Sequence, residues 1–316
     1  MIKRCVNCLI KEDTRLLYDF FAVSKDEVSN NSQKVTLNKD GICQYCIKYK
    51  KHYNKEILDT ELKLFTEDNK NNKYHSIVAL SGGKDSISAL YIAKKVLNLN
   101  VIAMTYDNGF IPKSVIEQSE RICKQLDIPY IVYKQEMYNE FKNEYIDDTD
   151  KKSWISKTGI DFCSLCSKNI WKYIQELNKS EGIYKVILGN KIYTSLEPYV
   201  SCIKKIPTLI NNEKRKITCI NLLFALGINT KKQQDILNLV NWKKIEFKGY
   251  TTNCLIPGFT EYPRTQKIQT DSDAGYIEME LRSNIYSVEE AKELILDKEY
   301  HDNSNDISSF FNSMNL

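Results

Sequence analysis

A chain of 316 residues, 42% apolar and 27% charged, has the composition of a globular protein of one large or two modest domains. Its net charge of +4 excludes a wholesale polyanion binder but leaves room for a local basic face. No apolar run approaches the roughly 20 residues that span a bilayer. The start Met1-Ile2-Lys3-Arg4-Cys5 lacks an apolar signal core, so a cytoplasmic location without a membrane partner is expected.

Ten cysteines in a cytosolic chain point to metal or sulfur chemistry rather than to disulfides. Cys5-Val6-Asn7-Cys8 and Cys43-Gln44-Tyr45-Cys46 are two C-x-x-C knuckles. Each lets two thiolates reach one ion, and four thiolates complete the tetrahedral shell of structural Zn2+. Gly41 suits the tight turn before the second knuckle, and the polar run Ser29-Asn30-Asn31-Ser32-Gln33 between them reads as a loop. A module this small depends on its metal to fold. Residues 47–73 form a lysine-rich helical connector.

From residue 74 onward strands and helices alternate. Ser76–Leu80, Val101–Tyr106, Pro129–Tyr133 and Tyr184–Leu188 read as strands. Ser86–Leu97, Lys113–Leu126 and Trp171–Leu177 read as helices. Continuous apolar strands between amphipathic helices predict an α/β fold with a doubly wound parallel sheet, whose ligands bind beyond the carboxyl ends of the strands. That edge receives Ser81-Gly82-Gly83-Lys84-Asp85-Ser86, the loop Thr105-Tyr106-Asp107-Asn108-Gly109-Phe110, and the turn at Gly189-Asn190. A strand, a Gly-rich turn and a helix aim bare backbone N–H groups at a phosphate. Ser81 and Ser86 can add hydroxyl donors, and Lys84 can neutralise oxyanion charge. The spacing is not that of a Walker A loop.

Cys163 and Cys166, in Phe162-Cys163-Ser164-Leu165-Cys166-Ser167-Lys168, precede a helical run from Asn169. The positive end of such a helix favours thiolate. Cys254, in Asn253-Cys254-Leu255-Ile256-Pro257-Gly258, sits in a turn where it can face another site. Cys123 falls on an inward helical stripe, and Cys202 and Cys219 are read as packing residues. Lys204, Lys205, Lys214, Arg215 and Lys216 are read as a solvated loop. Residues 218–245 are read as two helices broken at Gly227-Ile228-Asn229-Thr230. Ile277–Arg282 is read as an acidic-apolar strand ahead of a helix opened by Ser287.

The hexapeptide Ser81–Ser86 resembles the PP-loop of the adenine-nucleotide α-hydrolases, HUP-like proteins that cleave ATP between the α and β phosphates. That resemblance implies ATP with Mg2+ as cofactors and adenosine contacts from Ala79, Leu80, Ser81 and Thr105, Tyr106 and Asp107. Gly82, Gly83, Lys84, Asp85, Ser86 and Gly189 complete the implied nucleotide set, with Lys84 and Asp85 catalytic. A PP-loop followed by C-x-x-C and a distant third cysteine resembles the tRNA thiolation enzymes. By that likeness Cys163, Cys166 and Cys254 would be catalytic ligands of an iron–sulfur cluster (4Fe-4S) with one open iron.

The knuckles, Tyr106-Asp107-Asn108-Gly109-Phe110, and the tail Ile277–Arg282 with Glu289-Glu290-Ala291 resemble the N-acetyl sugar amidotransferases of nonulosonic-acid and O-antigen sugar pathways. Both likenesses imply adenylation of a carbonyl with release of pyrophosphate. They differ in whether sulfide or ammonia attacks next. The clustered cysteines favour ATP-dependent sulfur transfer. The thiolation enzymes' His- and Asp-containing segment is absent from Gly189-Asn190-Lys191-Ile192-Tyr193-Thr194-Ser195. The acceptor is therefore expected to be tRNA, a small amide-bearing molecule or a carrier-bound one. A sulfur or ammonia donor protein and a homodimer are compatible with the reading. The expected organisation is a zinc module at 1–50, a connector at 51–73, the ATP-binding domain at 74–200, a small helical C-terminal region carrying Cys254 at 201–300, and a flexible tail at 301–316.

Overall fold

The computed structural model describes residues 3–12, 35–67, 73–140, 162–194, 199–210, 213–245, 253–256 and 272–296. The expected loop at 29–33, the Pro257-Gly258 turn and the tail after residue 300 lie outside the described residues. In order the elements are α1 (Gln44–His52), α2 (Lys55–Glu67), β1 (Ser76–Ala79), α3 (Lys84–Tyr91), β2 (Val101–Asp107), α4 (Lys113–Gln125) and β3 (Tyr130–Lys134). There follow α5 (Phe162–Glu181), β4 (Lys185–Leu188), β5 (Ile203–Ile210), β6 (Glu213–Asn221), α6 (Leu222–Ala225), α7 (Thr230–Leu239), α8 (Ser272–Arg282) and α9 (Val288–Leu296). A π-helical turn, Ile92–Val96, extends α3.

The strands form one six-stranded sheet in the order β3-β2-β1-β4-β6-β5. All neighbours are parallel except β5 and β6, which form an antiparallel pair at one edge. This is the doubly wound α/β sheet expected. β2 is buried at every position, because helices cover both faces and each side chain must be apolar or satisfied. The chain winds from β1 outward to β2 and β3, then returns to lay β4 on β1's other side. The strand order reverses there, and the crevice beyond β1 and β4 is the ligand position of such sheets.

Three expectations are corrected. The sheet continues beyond residue 200: residues 218–221 are strand rather than helix, and β6 pairs with β4 from Lys185↔Thr218 to Leu188↔Asn221. Its residues Ile217 and Cys219 are buried at alternate positions after the exposed run Lys214-Arg215-Lys216, but buried Ile220 breaks the alternation and leads straight into the apolar helix that follows. Lys204, Lys205, Lys214, Arg215 and Lys216 are exposed, as expected, but they stand on strands β5 and β6 rather than in a loop. Ile277–Arg282 is the end of helix α8, not a strand. Ile277 and Leu281, four residues apart, share one face against Leu9 and Ala291, and that spacing is helical. Ser287 does open the next helix: Glu290 N–H donates to Ser287 Oγ at 3.1 Å, and Ser287 N–H donates to Glu290 Oε2 at 2.8 Å.

Cys123, Cys202 and Cys219 are buried packing residues. Cys202 Sγ lies 3.3 Å from Glu61 Oε2, and burial pushes its thiol far above the usual range, with that carboxylate adding to the rise.

Candidate functional site

The loop after β1 has a shape fixed by its glycines and by Ser86. Gly82 has φ +79°, and a side chain there would meet Val115 Cγ1 at 2.4 Å, so only glycine fits. Ser86 Oγ donates to Gly83 O at 3.0 Å and accepts from Ser81 N–H at 3.2 Å, which closes the loop on itself. Gly83 is the N-cap of α3 and brings no capping side chain to the first-turn amides. Such amides, with the helix dipole behind them, are able to seat an anion. Helix α3 begins at Lys84, two residues earlier than the sequence pattern indicated, so Lys84 and Asp85 belong to its first turn. Trp242 Nε1 donates to Gly82 O at 3.1 Å and clamps the loop from outside.

Gly189, at the end of β4, lies under the loop. A Cβ there would come within 2.7 Å of Ser86 N and 2.8 Å of its Cα. Its place in the site is thus close approach to the loop backbone. Thr105 donates to Leu80 O at 2.5 Å and accepts from Tyr130 OH at 2.8 Å, tying the ends of β1 and β2 together. Asp107 Oδ1 accepts from Gly109 N–H at 3.0 Å.

Asp85 is tied into a partly buried polar cluster that the sequence did not disclose. Its Oδ1 lies 3.1 Å from Lys191 Nζ and accepts from Gln233 Nε2 at 2.7 Å. Lys191 also donates to Gln233 Oε1 at 2.8 Å and lies over the Tyr286 ring at 5.5 Å. Lys191 is 2% exposed, a buried cation whose partners come from α3, α7 and the segment before α9. Glu280, on α8, stands near this cluster, and burial pushes its carboxyl up to about 7 against the pull of Lys191. The sequence offered only a lysine two residues after Gly189, and its burial is seen in the fold alone.

A cavity of about 250 Å³ opens beside the loop. Ala79, Leu80 and Ser81 line one wall, with Met104 and Tyr106 beside them, and Cys163, Cys166 and Cys254 line the other. Helix α5 starts at Phe162, so both of its cysteines lie in its first two turns rather than ahead of it. Cys254 reaches the cavity because Leu255 N–H donates to Phe110 O at 3.1 Å and Ile256 is buried with Tyr106, Phe110 and Met137. Between the thiols stands Asn108, 4% exposed. Its Oδ1 accepts from Phe110 N–H at 2.9 Å, and its Nδ2 faces Cys166 Sγ at 3.5 Å and Cys254 Sγ at 3.9 Å.

The expected lowering of the thiol pKa is not found at Cys166. Burial pushes it up to about 11, ahead of the opposing hydrogen bond from Asn108, and burial also raises Cys254. Desolvation of the charged form outweighs one helix end. The cavity wall is mostly apolar, and soft sulfur donors in such a wall suit an iron–sulfur group.

In the N-terminal segment Cys5, Cys8, Cys43 and Cys46 converge, with their sulfurs all within 4.8 Å of one another. The Cys5–Cys46 and Cys8–Cys43 separations are 3.8 and 3.7 Å. A tetrahedron with sulfurs about 2.3 Å from one central ion has edges of about 3.8 Å, so the four residues fit a single metal ion.

Residues 75–163 match the family described as Queuosine biosynthesis protein QueC, of the PP-loop ATP pyrophosphatase type. An uncharacterized protein of Methanocaldococcus jannaschii is 27% identical over 236 residues, 73% of this chain and 77% of that protein. A tRNA-specific 2-thiouridylase, MnmA, of Clostridium botulinum is 27% identical over 139 residues, 38% of this chain and 36% of the enzyme. The chain thus spans about a third of that enzyme's length. Among solved structures, the U34-tRNA thiolase NcsA from Methanococcus maripaludis with its 4Fe-4S cluster overlays with a TM-score of 0.41 at 15% identity, over 95% of this chain and 91% of that one. The PP-loop resemblance read from Ser81–Ser86 is borne out over the nucleotide-loop region.

Proposed function

We propose that this protein is an ATP-dependent sulfurtransferase: it adenylates an amide or pyrimidinone carbonyl and replaces the carbonyl oxygen with sulfur. The observation that carries the reading is one cavity lined by the end of β1, the start of the nucleotide loop and all three of Cys163, Cys166 and Cys254. The amides of Gly82–Ser86 and the Lys84 cation hold the polyphosphate of ATP. The acceptor's carbonyl oxygen attacks the α phosphorus, and the bond to pyrophosphate breaks. The carbon then takes up sulfide, and the original oxygen departs with AMP. Asp85, oriented by Lys191 and Gln233, would hold Mg2+, which would supply neutralisation of the phosphate charge. Cys163, Cys166 and Cys254 would hold a 4Fe-4S cluster, whose unprotected iron would supply bound sulfide. Zn2+ in the four-cysteine module is structural, because a closed set of four thiolates leaves no position for chemistry.

The name of the 2-thiouridylase relative supports sulfur transfer to a tRNA base, and a small amide or a carrier-bound one fits the same chemistry. A sulfur donor protein, a homodimer and a cytoplasmic site of action complete the proposal. No helix among the described residues is long and apolar enough to cross a membrane.

The test is anaerobic purification with iron and sulfide assay and an absorption spectrum. The expected protein is brown, and Cys254→Ala loses the colour. A colourless, zinc-only protein that still turns over would overturn the cluster. Substituting Asp85 with Asn is expected to cut pyrophosphate release by about a hundredfold, and undiminished release would remove Asp85 from the mechanism.

The N-acetyl sugar amidotransferase reading, with ammonia as nucleophile, is favoured by a different observation. Arg282, from the tail that carries that resemblance, touches Cys8 and Cys46, from the knuckles that share it. Amidine formation by the colourless protein would select this second reading.

A further inference from the structure

The four sulfurs of the N-terminal module need hydrogen-bond donors, since buried thiolates around a metal ion are stabilised by N–H groups aimed at them. The knuckle backbones serve two of them. Cys43 N–H points at Cys5 Sγ at 3.3 Å, and Cys46 N–H at Cys43 Sγ at 3.4 Å. Cys46 and Cys8 are served from far along the chain, by the last residue of α8. Arg282 Nε donates to Cys46 Sγ at 3.3 Å and Nη2 donates to Cys8 Sγ at 3.4 Å. The third guanidinium nitrogen, Nη1, donates to the hydroxyl of Tyr193.

Arg282 is 7% exposed and stacks near Tyr45, so its charge is taken out of water. A guanidinium cannot shed its proton in compensation. A divalent ion with four thiolates carries two negative charges, and one guanidinium offsets one of them. Four protonated thiols would offer Arg282 no such charge, so the buried cation and a metal-bound module require one another. Tyr193, 2% exposed, packs on Tyr49 at 5.0 Å and on Phe224 at 6.0 Å. It belongs to the segment after β4 that also carries Lys191, the partner of Asp85.

We propose that Arg282 is an integral positioning residue of the four-cysteine metal centre. It serves the two thiolates that the knuckles leave to it, and through Tyr193 it fixes the segment carrying Lys191 against the nucleotide loop. The guanidinium fork is the reason for arginine: two adjacent nitrogens span two sulfurs while the third reaches the phenol, and an ammonium cannot do all three.

The test uses the full-length protein loaded with Zn2+ and needs no turnover. Zinc transfer to a colorimetric chelator is timed for the wild type, Arg282→Lys and Arg282→Gln. Release from Arg282→Gln is expected about tenfold faster, with Arg282→Lys between the two. Release within twofold of wild type from Arg282→Gln would overturn the proposal, as would a wild type that retains no zinc. Should Arg282→Gln fail to fold, Co2+ replaces zinc in Arg282→Lys, whose thiolate-to-metal absorption bands are expected to shift; an unchanged spectrum overturns the assignment. Tyr193→Phe is expected to retain zinc as wild type does but to bind ATP more weakly, and an unaltered ATP affinity removes the link to the loop. A wild type that binds zinc but no ATP would refute the proposed function and the link to the loop, while leaving Arg282's place in the metal centre standing.

Discussion

Asn108 shows how one side chain is aimed by its neighbours. The Phe110 N–H on Oδ1 settles which end of the amide is oxygen, so the NH₂ end faces Cys166 and Cys254. An N–H donor between two sulfurs favours their anionic, metal-bound form. Asn108→Leu, close in volume but without the donor, is expected to lose reconstituted iron about tenfold faster, followed by the decay of the visible absorption. Equal decay would show that the amide only fills space. Glu280 offers a second measurement. Its carboxyl is raised from 4.5 to about 7, first by burial and then by Asp85, against Lys191, Lys84 and a hydrogen bond involving Tyr286. The folded protein therefore keeps a proton there that the unfolded chain has lost. Stability falls as pH rises from 4.5 through about 7 and levels off above. The loss is on the order of 1–3 kcal/mol. Glu280→Gln is expected to flatten this part of the pH–stability curve and to be the more stable form at pH 8, by chemical denaturation at both pH values.

Among the elements, the end of β4 has an exacting role. Gly189 is the floor on which the nucleotide loop rests, and a methyl group would press on backbone atoms of Asp85 and Ser86 that cannot swing aside. Gly189→Ala is expected to cost about 1–3 kcal/mol of stability. By displacing the loop it should weaken ATP binding at least about tenfold, measured by titration calorimetry. Wild-type affinity would mean that the loop tolerates the shift. The strand at this position was legible, since Val186-Ile187-Leu188 is apolar and runs into a glycine. The β5–β6 hairpin was not. Its exposed run Lys214-Arg215-Lys216 gives way to Ile217, Cys219 and Ile220 and then directly to Leu222–Ala225, and a short apolar run shared between a strand and a helix has no single period.

Across the whole molecule, the two cysteine-rich centres differ in what they hold together. The Cys163–Cys166–Cys254 wall belongs to the cavity beside the loop. The four-cysteine module braces both ends of the chain, with Leu9 packed on Ile277, Leu281 and Ala291, and Arg282 bonded into the metal-ligand set. Removing its metal with a strong chelator is expected to lower the melting temperature and to raise protease sensitivity around α8 and α9 together with the first 50 residues. Cleavage confined to the N-terminal residues would show that the module is an independent appendage.

The local chemistry of this protein is written in short sequence windows. Ser81–Ser86 between a strand and a helix, the paired C-x-x-C knuckles and the Ser287–Glu290 cap each depend on residues within a few positions of one another, so spacing alone discloses them. What only the tertiary structure decided are the meetings between distant windows: Cys254 with Cys166 across Asn108, Lys191 with Asp85 and Gln233, and Arg282 with Cys8 and Cys46. These contacts arise from the return of β4 beside β1 and from the docking of α8 on the module. No local period encodes them, because burial of the opposing faces sets them only when the whole chain has closed.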